Sequence, residues 1–584
     1  MKRGKTLFQK FGWLIIVVLF IGITYLSSFF RYTIDLTAEK RFSLSESTKT
    51  LLKNLDSAVT IKVFLTGNLP ADYKKLNIAT QDLLDEFKDL SNNYVKVEYD
   101  EPGKDLDDTA KSILYDSLSN LGVVFEQSEN LSESGQKTTS QLIIPSALVY
   151  YKNHPPFAID LRSSRTIYKT HNVVDDNADD FVDKEATLNS AEALLEYKFA
   201  NAIDKLTRTY IPTIAYAIGN GEPTDLTVND LGESLRNDYR LAVFDLKQGY
   251  PRADQIDALL IVKPSKSFTD EDKLKIDQYI MHGGKVIWCI DKLYAELDSL
   301  MRSQADFVAF DRNLNLDDIL FKYGVRINND LLQDLNCSKI PIVIGYNPDN
   351  SPRMQRIPWP YYPFVSSQNN NPISKNLDRV LPIFPSSIDT VKAPGIQKTI
   401  LLASDTNSRV LSTPAMISIN SVANDPNFLT FKKSYVPVAV LLQGNFTSLF
   451  ANRLTQTVQD SVQRSSGAPF AASGSATKQI VMSDADIVTN QVSPTSGPMQ
   501  MGILPFENYQ FANKEFFLNS VDYLVSNNGI FQSRNKDFTL RLLDKAKVED
   551  QRTTWQLINI AGPIAFFILF GIFYQMVRKK KYAA

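Results

Sequence analysis

Two glycine-containing stretches are the places where this chain could bind a phosphate group. Gly283-Gly284-Lys285 is similar to part of a phosphate-binding loop, but no Gly-x-x-x-x-Gly-Lys-Ser/Thr sequence occurs. It also follows a predicted helix and precedes a predicted strand, the reverse of a nucleotide-binding loop, so we interpret it as a glycine helix cap. Gly219-Asn220-Gly221 lacks the third glycine of a dinucleotide loop. We therefore expect no cofactor and no ATP hydrolysis by the chain itself.

The acidic run Asp175–Glu185 comes nearest to a calcium-binding loop. Side-chain oxygens alternate along its first half, but Asp180 replaces the glycine of the sharp turn, and Ala186 stands where a bidentate glutamate belongs. A solvated acidic loop is the interpretation that we favour. The three histidines share no metal-ligand spacing with either cysteine, so we assign no metal site.

The two cysteines, Cys289 and Cys337, are the candidates for nucleophilic chemistry. A nucleophile would need Gly-x-Ser-x-Gly or its cysteine analogue on a tight turn, whereas Trp288 and Ile290 flank Cys289 in an apolar run that predicts a buried strand. A disulfide between the two cysteines is the less favoured alternative. The carboxylates are too scattered to assign an acid and a base. We assign no catalytic residue and predict that the chain is not an enzyme.

Two uncharged apolar segments, at residues 11–30 and 555–577, must position everything between them. Each matches the ~20 residues that a helix needs to cross a bilayer. Lysine and arginine close to a span tend to stay in the cytoplasm, and both basic clusters lie on the terminal side of their segment. These topology-setting residues are Lys2, Arg3, Lys5, Lys10, Arg578, Lys579, Lys580 and Lys581. We therefore predict two transmembrane helices, cytoplasmic tails at 1–10 and 578–584, and the bulk of the chain across the membrane.

A cleaved signal peptide is the alternative for the first segment, but its apolar stretch exceeds the usual ~7 to 15 residues and ends without a small-residue cleavage site. Asn559, Pro563 and Gln575 make the second segment less apolar and predict a face packed on another helix. The two amides could equally lie in the headgroup zones. Aromatic side chains that settle at lipid interfaces mark both segments, at Trp13, Tyr25, Tyr32, Trp555 and Tyr574.

The charge balance excludes one class of partner. Eight of the 63 basic residues lie in the two tails, which leaves 55 against 65 acidic residues between the spans. Nucleic acid binding needs a clustered basic surface, so we expect no nucleic acid partner. At 584 residues the chain is also too long for one core. We predict an α/β domain at 31–206, a larger α/β domain at 207–528 and a juxtamembrane linker at 529–554.

Hydrophobic periodicity gives both domains a strand and helix order. The first begins with a strand, a crossover helix and a second strand, an outline that is thioredoxin-like although no Cys-x-x-Cys occurs. The larger domain contains uniformly apolar runs such as Ala258–Val262, typical of strands buried on both faces of a sheet. Within it, the proline- and asparagine-rich stretch Pro341–Pro385 predicts a long surface excursion, and Ser465–Ala476 predicts a small polar loop.

Several segments resemble one family in combination. Tyr32–Ser45 and Ile61–Ala71 are similar to the GldG-like family, gliding-motility-associated auxiliary (substrate-binding-like) proteins of Bacteroidota ABC transporters. Further segments that carry the resemblance are Ile280–Asp291, Asn371–Val380, Val436–Ser448, Ser483–Asp486 and Arg534–Lys536. The resemblance implies an inner-membrane protein with its bulk in the periplasm. It also implies that the larger domain has a class I glutamine-amidotransferase-like fold, here without the nucleophile elbow.

The resemblance further implies a multi-spanning ABC permease and a cytoplasmic ATPase as partners, with links to gliding motility and possible links to type IX secretion. We therefore predict a non-catalytic, membrane-anchored periplasmic subunit that couples these partners to periplasmic machinery. The alternative is a tethered periplasmic receptor or hydrolase for glycan or peptide. It would use the crevice at the carboxyl ends of the parallel strands, near Gly219–Thr224.

Overall fold

The computed structural model describes residues 18–22, 43–130, 139–163, 165, 184–295, 306–419, 427–507, 509–526, 529–535 and 545–582. The chain forms two compact units, residues 1–536 and residues 537–584. The first unit is mixed α/β and contains two main sheets. The second contains one long helix.

The N-terminal part of the first unit is a four-stranded sheet with helices packed against it. The strands in this part are β1 Val59–Val63, β2 Val95–Tyr99, β3 Glu126–Asn130, β4 Thr139–Ile143, β5 Ser146–Tyr151 and β6 Phe157–Asp160. The sheet has the order β2-β1-β5-β6; β1 and β2 are parallel, and β5 and β6 are antiparallel to their neighbours. The remaining pair, β3 and β4, forms a separate hairpin. The helices are α1 Glu46–Lys53, α2 Ala71–Leu90, α3 Asp108–Asn120 and α4 Lys184–Thr207.

The larger part is built on a seven-stranded sheet. Its strands are β7 Thr213–Ile218, β8 Arg240–Asp245, β9 Ala258–Val262, β10 Val286–Cys289, β18 Ile396–Ala403, β21 Pro437–Thr447 and β22 Ser473–Met482. Their order is β18-β21-β22-β10-β9-β7-β8, in which β22, β10, β9, β7 and β8 are parallel. The central strands β9 and β10 are buried throughout, as their uniformly apolar sequence predicts.

Shorter elements complete the first unit. Its other strands are β11 Leu293–Tyr294, β12 Phe307–Asp311, β13 Val325–Ile327, β14 Asp330–Asp334, β15 Cys337–Tyr346, β16 Pro352–Pro363, β17 Ile388–Thr390, β19 Ser408–Ser412, β20 Ala415–Ile417, β23 Val492–Ser493 and β24 Gly497–Pro498. Its other α-helices are α5 Asn229–Asp238, α6 Asp270–Met281, α7 Asp317–Tyr323, α8 Gln456–Ser466 and α9 Asn513–Val525. Residues 226–228, 428–430, 485–487 and 530–535 form 3₁₀ turns.

One hydrophobic cluster runs through both parts of the first unit. It includes Val59 and Phe87 of the N-terminal part, Phe199 of α4, and Leu260 and Phe516 of the larger part, all fully buried. Burying a side chain of this size contributes roughly 1.5–3 kcal/mol to the stability of the fold. Side chains of both parts contribute to this one cluster. The two parts therefore share a core.

Three local predictions are wrong. Pro341–Pro385 is not only a surface excursion, because it contains all of β16 and buries Trp359, Tyr362 and Val380. Five of its nine prolines lie in β15 and β16, which form a two-stranded sheet without a central strand. The sequence also predicts a strand at Gly122–Glu126, but β3 begins only at Glu126. The polar loop predicted at Ser465–Ala476 ends early, because β22 begins at Ser473.

The second unit is the helix α10, Lys545–Tyr582. By length and composition, Gln551–Lys580 is the one helical stretch among the described residues that could span a membrane, and none of its residues is buried. The whole helix is about 57 Å long at 1.5 Å per residue, against ~30 Å of hydrocarbon. Of the predicted first span the structure describes residues 18–22, which are helical.

Candidate functional site

The carboxyl ends of three neighbouring parallel strands bring one lysine and three aspartates together. Lys263 follows β9, Asp291 follows β10, and Asp484 and Asp486 follow β22. The Nζ atom of Lys263 lies 2.6 Å from Oδ1 of Asp486 and 3.3 Å from Oδ2 of Asp291. We call these four residues the carboxyl-edge cluster. Because the strands are parallel, residues far apart in sequence meet at one edge of the sheet.

Burial and the excess of carboxylates govern the electrostatics of the carboxyl-edge cluster. Burial, together with repulsion from Asp486 and Asp291, holds the pKa of Asp484 well above its ordinary value. Burial also raises the pKa of Asp291, although the ammonium group of Lys263 opposes this shift. Burial opposes the charged form of Lys263, but Asp486 and Asp291 more than offset it and raise its pKa. The neighbouring carboxylates therefore favour the charged form of the lysine.

The carboxylates of the carboxyl-edge cluster accept hydrogen bonds from nearby backbone N–H groups. Asp484 accepts hydrogen bonds from the backbone N–H groups of Asp486 and Ile383, both at 2.6 Å. Asp291 accepts one from Ala485 N, also at 2.6 Å. Lys263 has a φ of +47°, in the left-handed region that a lysine seldom adopts. These contacts hold the loop after β22 against the sheet.

The crevice near Gly219–Thr224 is closed by loop-to-loop hydrogen bonds. The backbone N–H groups of Ser265 and Lys266 both donate to Asn220 O, at 3.1 and 2.8 Å. The hydroxyl of Ser265 donates to Gly221 O at 2.9 Å, and a Cβ added to Gly221 would lie 2.2 Å from that hydroxyl oxygen. Gly221 also has a φ of +80°, which favours glycine. The loops after β7 and β9 are therefore joined directly at the place where the rival hypothesis puts a ligand.

The contact between the N-terminal and the larger part contains a buried ion cluster, which we call the junction. Lys205 of α4 places its Nζ 2.6 Å from Oδ2 of Asp238 and 3.2 Å from Oδ2 of Asp522. The hydroxyl of Tyr239 donates to Oδ1 of Asp522. Burial opposes the charge on Lys205, but Asp522 and Asp238 raise its pKa overall. The junction joins α4, the end of α5 and α9 by charge-assisted hydrogen bonds.

Arg534, in the last described turn before α10, is a second buried cation at this contact. Its Nη1 donates to Oδ1 of Asn519 at 2.7 Å, and Glu515 Oε1 lies 3.4 Å from Nη2. Its guanidinium carbon lies 4.9 Å from the ring centroid of Tyr197 on α4. Only 1% of the residue is exposed. We call Arg534 with Tyr197, Glu515 and Asn519 the Arg534 clamp, which ties residues 530–535 to both parts of the first unit.

The sequence predicts a charged connecting segment from Gly529 onward and gives Arg534 no role. The signal was present, since Ser483–Asp486, Ile280–Asp291 and Arg534–Lys536 are segments that carry the family resemblance. The sequence did not show which of these segments contact one another in the folded chain. The first two segments converge in the carboxyl-edge cluster, and Asn376 Nδ2 donates to Arg534 O at 3.5 Å.

Of the predicted membrane-related residues, those near the N-terminus lie outside the described residues: Lys2, Arg3, Lys5, Lys10, Trp13, Tyr25 and Tyr32. Those near the C-terminus all lie on α10: Trp555, Asn559, Pro563, Tyr574, Gln575, Arg578, Lys579, Lys580 and Lys581. The indole N–H of Trp555 donates to Gln551 Oε1 at 3.2 Å. The roles assigned to these residues stay predictions.

The three residues predicted to pack within the membrane do not share one helix face. At 100° per residue, Asn559 and Pro563 lie about 40° apart around the helix, whereas Gln575 lies about 120° from Pro563. One partner helix could therefore contact Asn559 and Pro563 together, but not Gln575 at the same contact line.

The glycine-cap interpretation of Gly283-Gly284-Lys285 is confirmed. Helix α6 ends at Met281, and the N–H groups of Gly283 and Gly284 donate to Ile280 O and Tyr279 O. Both cysteines are free, and Cys289 is buried in β10 beside Met482 Sδ, at 3.8 Å. Among the described residues no group of three or more His, Cys, Asp or Glu side chains could hold a metal ion. The calcium-like run at residues 175–183 lies outside them.

Comparison with solved structures gives only distant likenesses. The N-terminal domain of mmIFT52 is 12% identical with a TM-score of 0.29, over 54% of this chain and 98% of that one. The exo-β-1,4-mannosidase Op5Man5 from Opitutaceae bacterium strain TAV5 is 10% identical with a TM-score of 0.20, over 51% and 35% of the chains. A Thermoplasma acidophilum protein described as a GMP synthase component is 10% identical with a TM-score of 0.22, over 56% and 96%. Likenesses at these TM-scores carry no argument here.

Family models give a firmer assignment. None of the curated proteins matches the chain significantly. Residues 38–150 match a domain of unknown function, DUF7088. Residues 211–520, more than half of the chain, match the model of an ABC-type uncharacterized transport system, which covers the seven-stranded sheet and the carboxyl-edge cluster. The chain therefore belongs to this ABC-type transport-system family, as an auxiliary component.

Proposed function

We propose that this chain is a non-catalytic, membrane-anchored subunit that transmits movement from an ABC permease and its ATPase to machinery on the far side of the membrane. The observation that carries the proposal is the Arg534 clamp, because it fixes the last turn before α10 to both parts of the first unit. Only residues 536–544 separate this turn from the helix. A displacement of α10 would pass through nine residues to a body with one shared core.

Membrane insertion of α10 is the first element of the proposal. The apolar, uncharged stretch before Arg578 is long enough to cross the hydrocarbon, and its exposed surface would be covered by lipid or by another helix. The basic residues 578–581 at its end favour a cytoplasmic C-terminus. With residues 11–30 as a second span, both termini would lie in the cytoplasm of an inner-membrane protein, and the first unit in the periplasm.

The proposed partners are inferred from the missing phosphate-binding loop and from the ABC-type transport-system family. Its sequence has no phosphate-binding loop, so ATP hydrolysis would come from a separate cytoplasmic ATPase. One or two helices cannot enclose a channel, so a multi-spanning permease would supply it. The face around Asn559 and Pro563 on α10 is the surface that we assign to the permease.

The finer biological role and fold names rest on the family resemblance and on strand order. We propose a role in gliding motility, with a possible extension to type IX secretion, for a Bacteroidota cell. We also propose that the N-terminal part is thioredoxin-like, because a four-stranded order of β2-β1-β5-β6 is compatible with that fold. The parallel strands of the larger part are compatible with a glutamine-amidotransferase-like sheet without its nucleophile.

The closed crevice favours this coupling role over the receptor or hydrolase alternative. A ligand there would have to displace the hydrogen bonds that Asn220 O accepts and the close packing of Ser265 on Gly221. Binding pockets are usually largely formed before the ligand arrives. The carboxylates near this edge form an ion pair with Lys263 and accept hydrogen bonds from backbone N–H groups.

The test is purification of the tagged full-length chain from its source membranes in a gentle detergent. The proposal predicts that a permease and an ATPase co-purify, and that the chain alone hydrolyses no ATP. As a matched pair, Asn559→Leu should weaken recovery of the permease, whereas Gln575→Leu, on a different side of α10, should weaken it less. Recovery of the intact chain without either partner would contradict the proposal.

A further inference from the structure

Strand β8 is an open edge of the seven-stranded sheet. Its central residues Leu241–Phe244 are all apolar, and Val243 is 65% exposed. Natural proteins usually protect an edge strand with lysine, proline, a bulge or a covering segment. Between Arg240 and Asp245, β8 has neither lysine nor proline.

The opposite edge of the same sheet is protected. Ser366 and Ala403 exchange backbone hydrogen bonds at 3.0 Å alongside β18, and the side-chain amide of Asn369 donates to Ile400 O. The edge strand β2 of the N-terminal sheet carries Lys96 and Glu98. Among the edges just described, β8 is therefore the one that remains available to another strand.

Backbone alternation tells which groups of β8 point outward. Arg240 N donates to Pro212 O and Leu246 N donates to Ile218 O, both at 3.0 Å, so even-numbered residues face β7. The odd-numbered residues Leu241 and Val243 therefore direct their N–H and C=O groups away from the sheet. Among the described residues, neither of the two has a backbone hydrogen bond to a segment outside the strands.

We propose that β8 pairs antiparallel with β8 of a second copy of this chain, about a two-fold axis at Ala242. In this register Leu241 of one copy lies opposite Val243 of the other, and the outward backbone groups of these two pairs form four hydrogen bonds. Ala242 of one copy lies opposite Ala242 of the other in a non-hydrogen-bonded pair. The Cα atoms of such a pair approach to about 4.5 Å, so a small side chain fits there.

Side-chain complementarity favours a second copy over an unrelated strand, and this register over its neighbour. Arg240, which is exposed, comes opposite the ring of Phe244 of the other copy, a cation–π arrangement. Shifting the axis to Val243 would place Leu241 opposite Asp245, which leaves a carboxylate against an apolar side chain. The pairing would join two sheets into one continuous sheet of fourteen strands. It adds self-association to the coupling role and does not depend on that role.

The test combines mass measurement and cross-linking of the full-length chain in detergent. Light scattering should give twice the mass of one chain. Val243→Pro removes one outward N–H donor, which an open edge tolerates, and should leave a monomer. Val243→Thr keeps the donor and the β-branched shape and should remain a dimer. A monomeric wild type, or a dimer that Val243→Pro does not dissociate, would overturn the proposal.

Cross-linking tests the register independently, in a Cys337→Ser background. Ala242→Cys should form an intermolecular disulfide on mild oxidation, because a disulfide needs Cα atoms about 4.4–6.8 Å apart. Val243→Cys should yield at least about tenfold less cross-linked dimer, because its diagonal partner lies beyond about 7 Å. Cross-linking of Val243→Cys without cross-linking of Ala242→Cys would overturn the assigned pairing. Equal cross-linking by both would do the same.

Discussion

Lys205 and Asp522 form a buried ion pair, with 3.2 Å between Nζ and Oδ2, that joins α4 to α9. The side chains are 7% and 5% exposed. Charged groups in such positions are stable only when they are paired, so the contact depends on all members of the junction being present. The ion pair thereby joins the N-terminal part to the larger part within the first unit.

The junction gives the first prediction. Lys205→Met should lower the free energy of unfolding by about 3–5 kcal/mol, because it leaves Asp238 and Asp522 buried without a cation. Denaturant unfolding followed by tryptophan fluorescence measures the loss. Lys74→Met, on the exposed surface of α2, should change it by less than about 0.5 kcal/mol. Equal stability of the two variants would show that the junction does not hold the parts together.

The Arg534 clamp gives the second prediction. Arg534→Lys keeps the charge but loses the planar fork that reaches Asn519 while stacking on Tyr197. Hydrogen exchange in α4 and in residues 530–535 should become at least about tenfold faster, which corresponds to about 1.4 kcal/mol. Arg353→Lys, at an exposed position of β16, is the control and should leave both segments unchanged. Unaltered exchange in Arg534→Lys would remove the clamp from the proposed coupling route.

The carboxyl-edge cluster gives the third prediction, which depends on pH. Lys263→Met removes the cation that offsets the raised pKa values of Asp484 and Asp291, so these pKa values should rise further. A carboxyl whose folded pKa is raised destabilises the fold as pH rises, since ionisation is then opposed only in the folded state. The loss of stability should be about 3–5 kcal/mol at pH 8 and at least about 1 kcal/mol smaller at pH 5.

Lys322→Met, at an exposed position of α7, is the control for that experiment. Its effect on the free energy of unfolding should be the same at pH 5 and pH 8. A loss for Lys263→Met that is larger at pH 5 than at pH 8 would mean that the aspartates are not held in the way described.

Asp334 gives the fourth prediction. Burial, with repulsion from Asp405, raises its pKa to about 6, although it accepts hydrogen bonds from the N–H groups of Asn336 and Asp405. Between pH 4 and pH 6 the folded state keeps a proton that the unfolded state has lost, so stability falls as pH rises. Relative to Asp334→Asn, the wild type should lose about 2 kcal/mol over this range. Parallel pH profiles of the two proteins would contradict the raised pKa.

The mixed α/β class and the apolar C-terminal helix were predictable, because uniformly apolar runs such as Ala258–Val262 and the uncharged stretch before Arg578 are strong local signals. The membrane crossing itself, the second span and the named folds stay predictions. Local signals failed at Pro341–Pro385, where proline content suggested a surface excursion and tertiary packing buried Trp359 and Tyr362.

The candidate site could not be predicted from the sequence for a different reason. Lys263, Asp291 and Asp484 are separated by up to 221 positions and become neighbours only because β9, β10 and β22 are adjacent in the sheet. Arg534 likewise looks like any surface arginine in sequence, since nothing local indicates that Tyr197 and Asn519 surround it. Such sites follow from strand order and helix packing, which the sequence does not state.

Insertion of a flexible Gly/Ser linker between residues 536 and 545 tests the coupling claim most directly. The altered chain should still assemble with its permease and ATPase, and ATP hydrolysis by the complex should persist. The transport-dependent phenotype of the cell, gliding under our proposal, should nevertheless be lost, because displacement of α10 no longer reaches the Arg534 clamp. Full retention of that phenotype with the linker in place would show that α10 is not coupled to the first unit through residues 536–544.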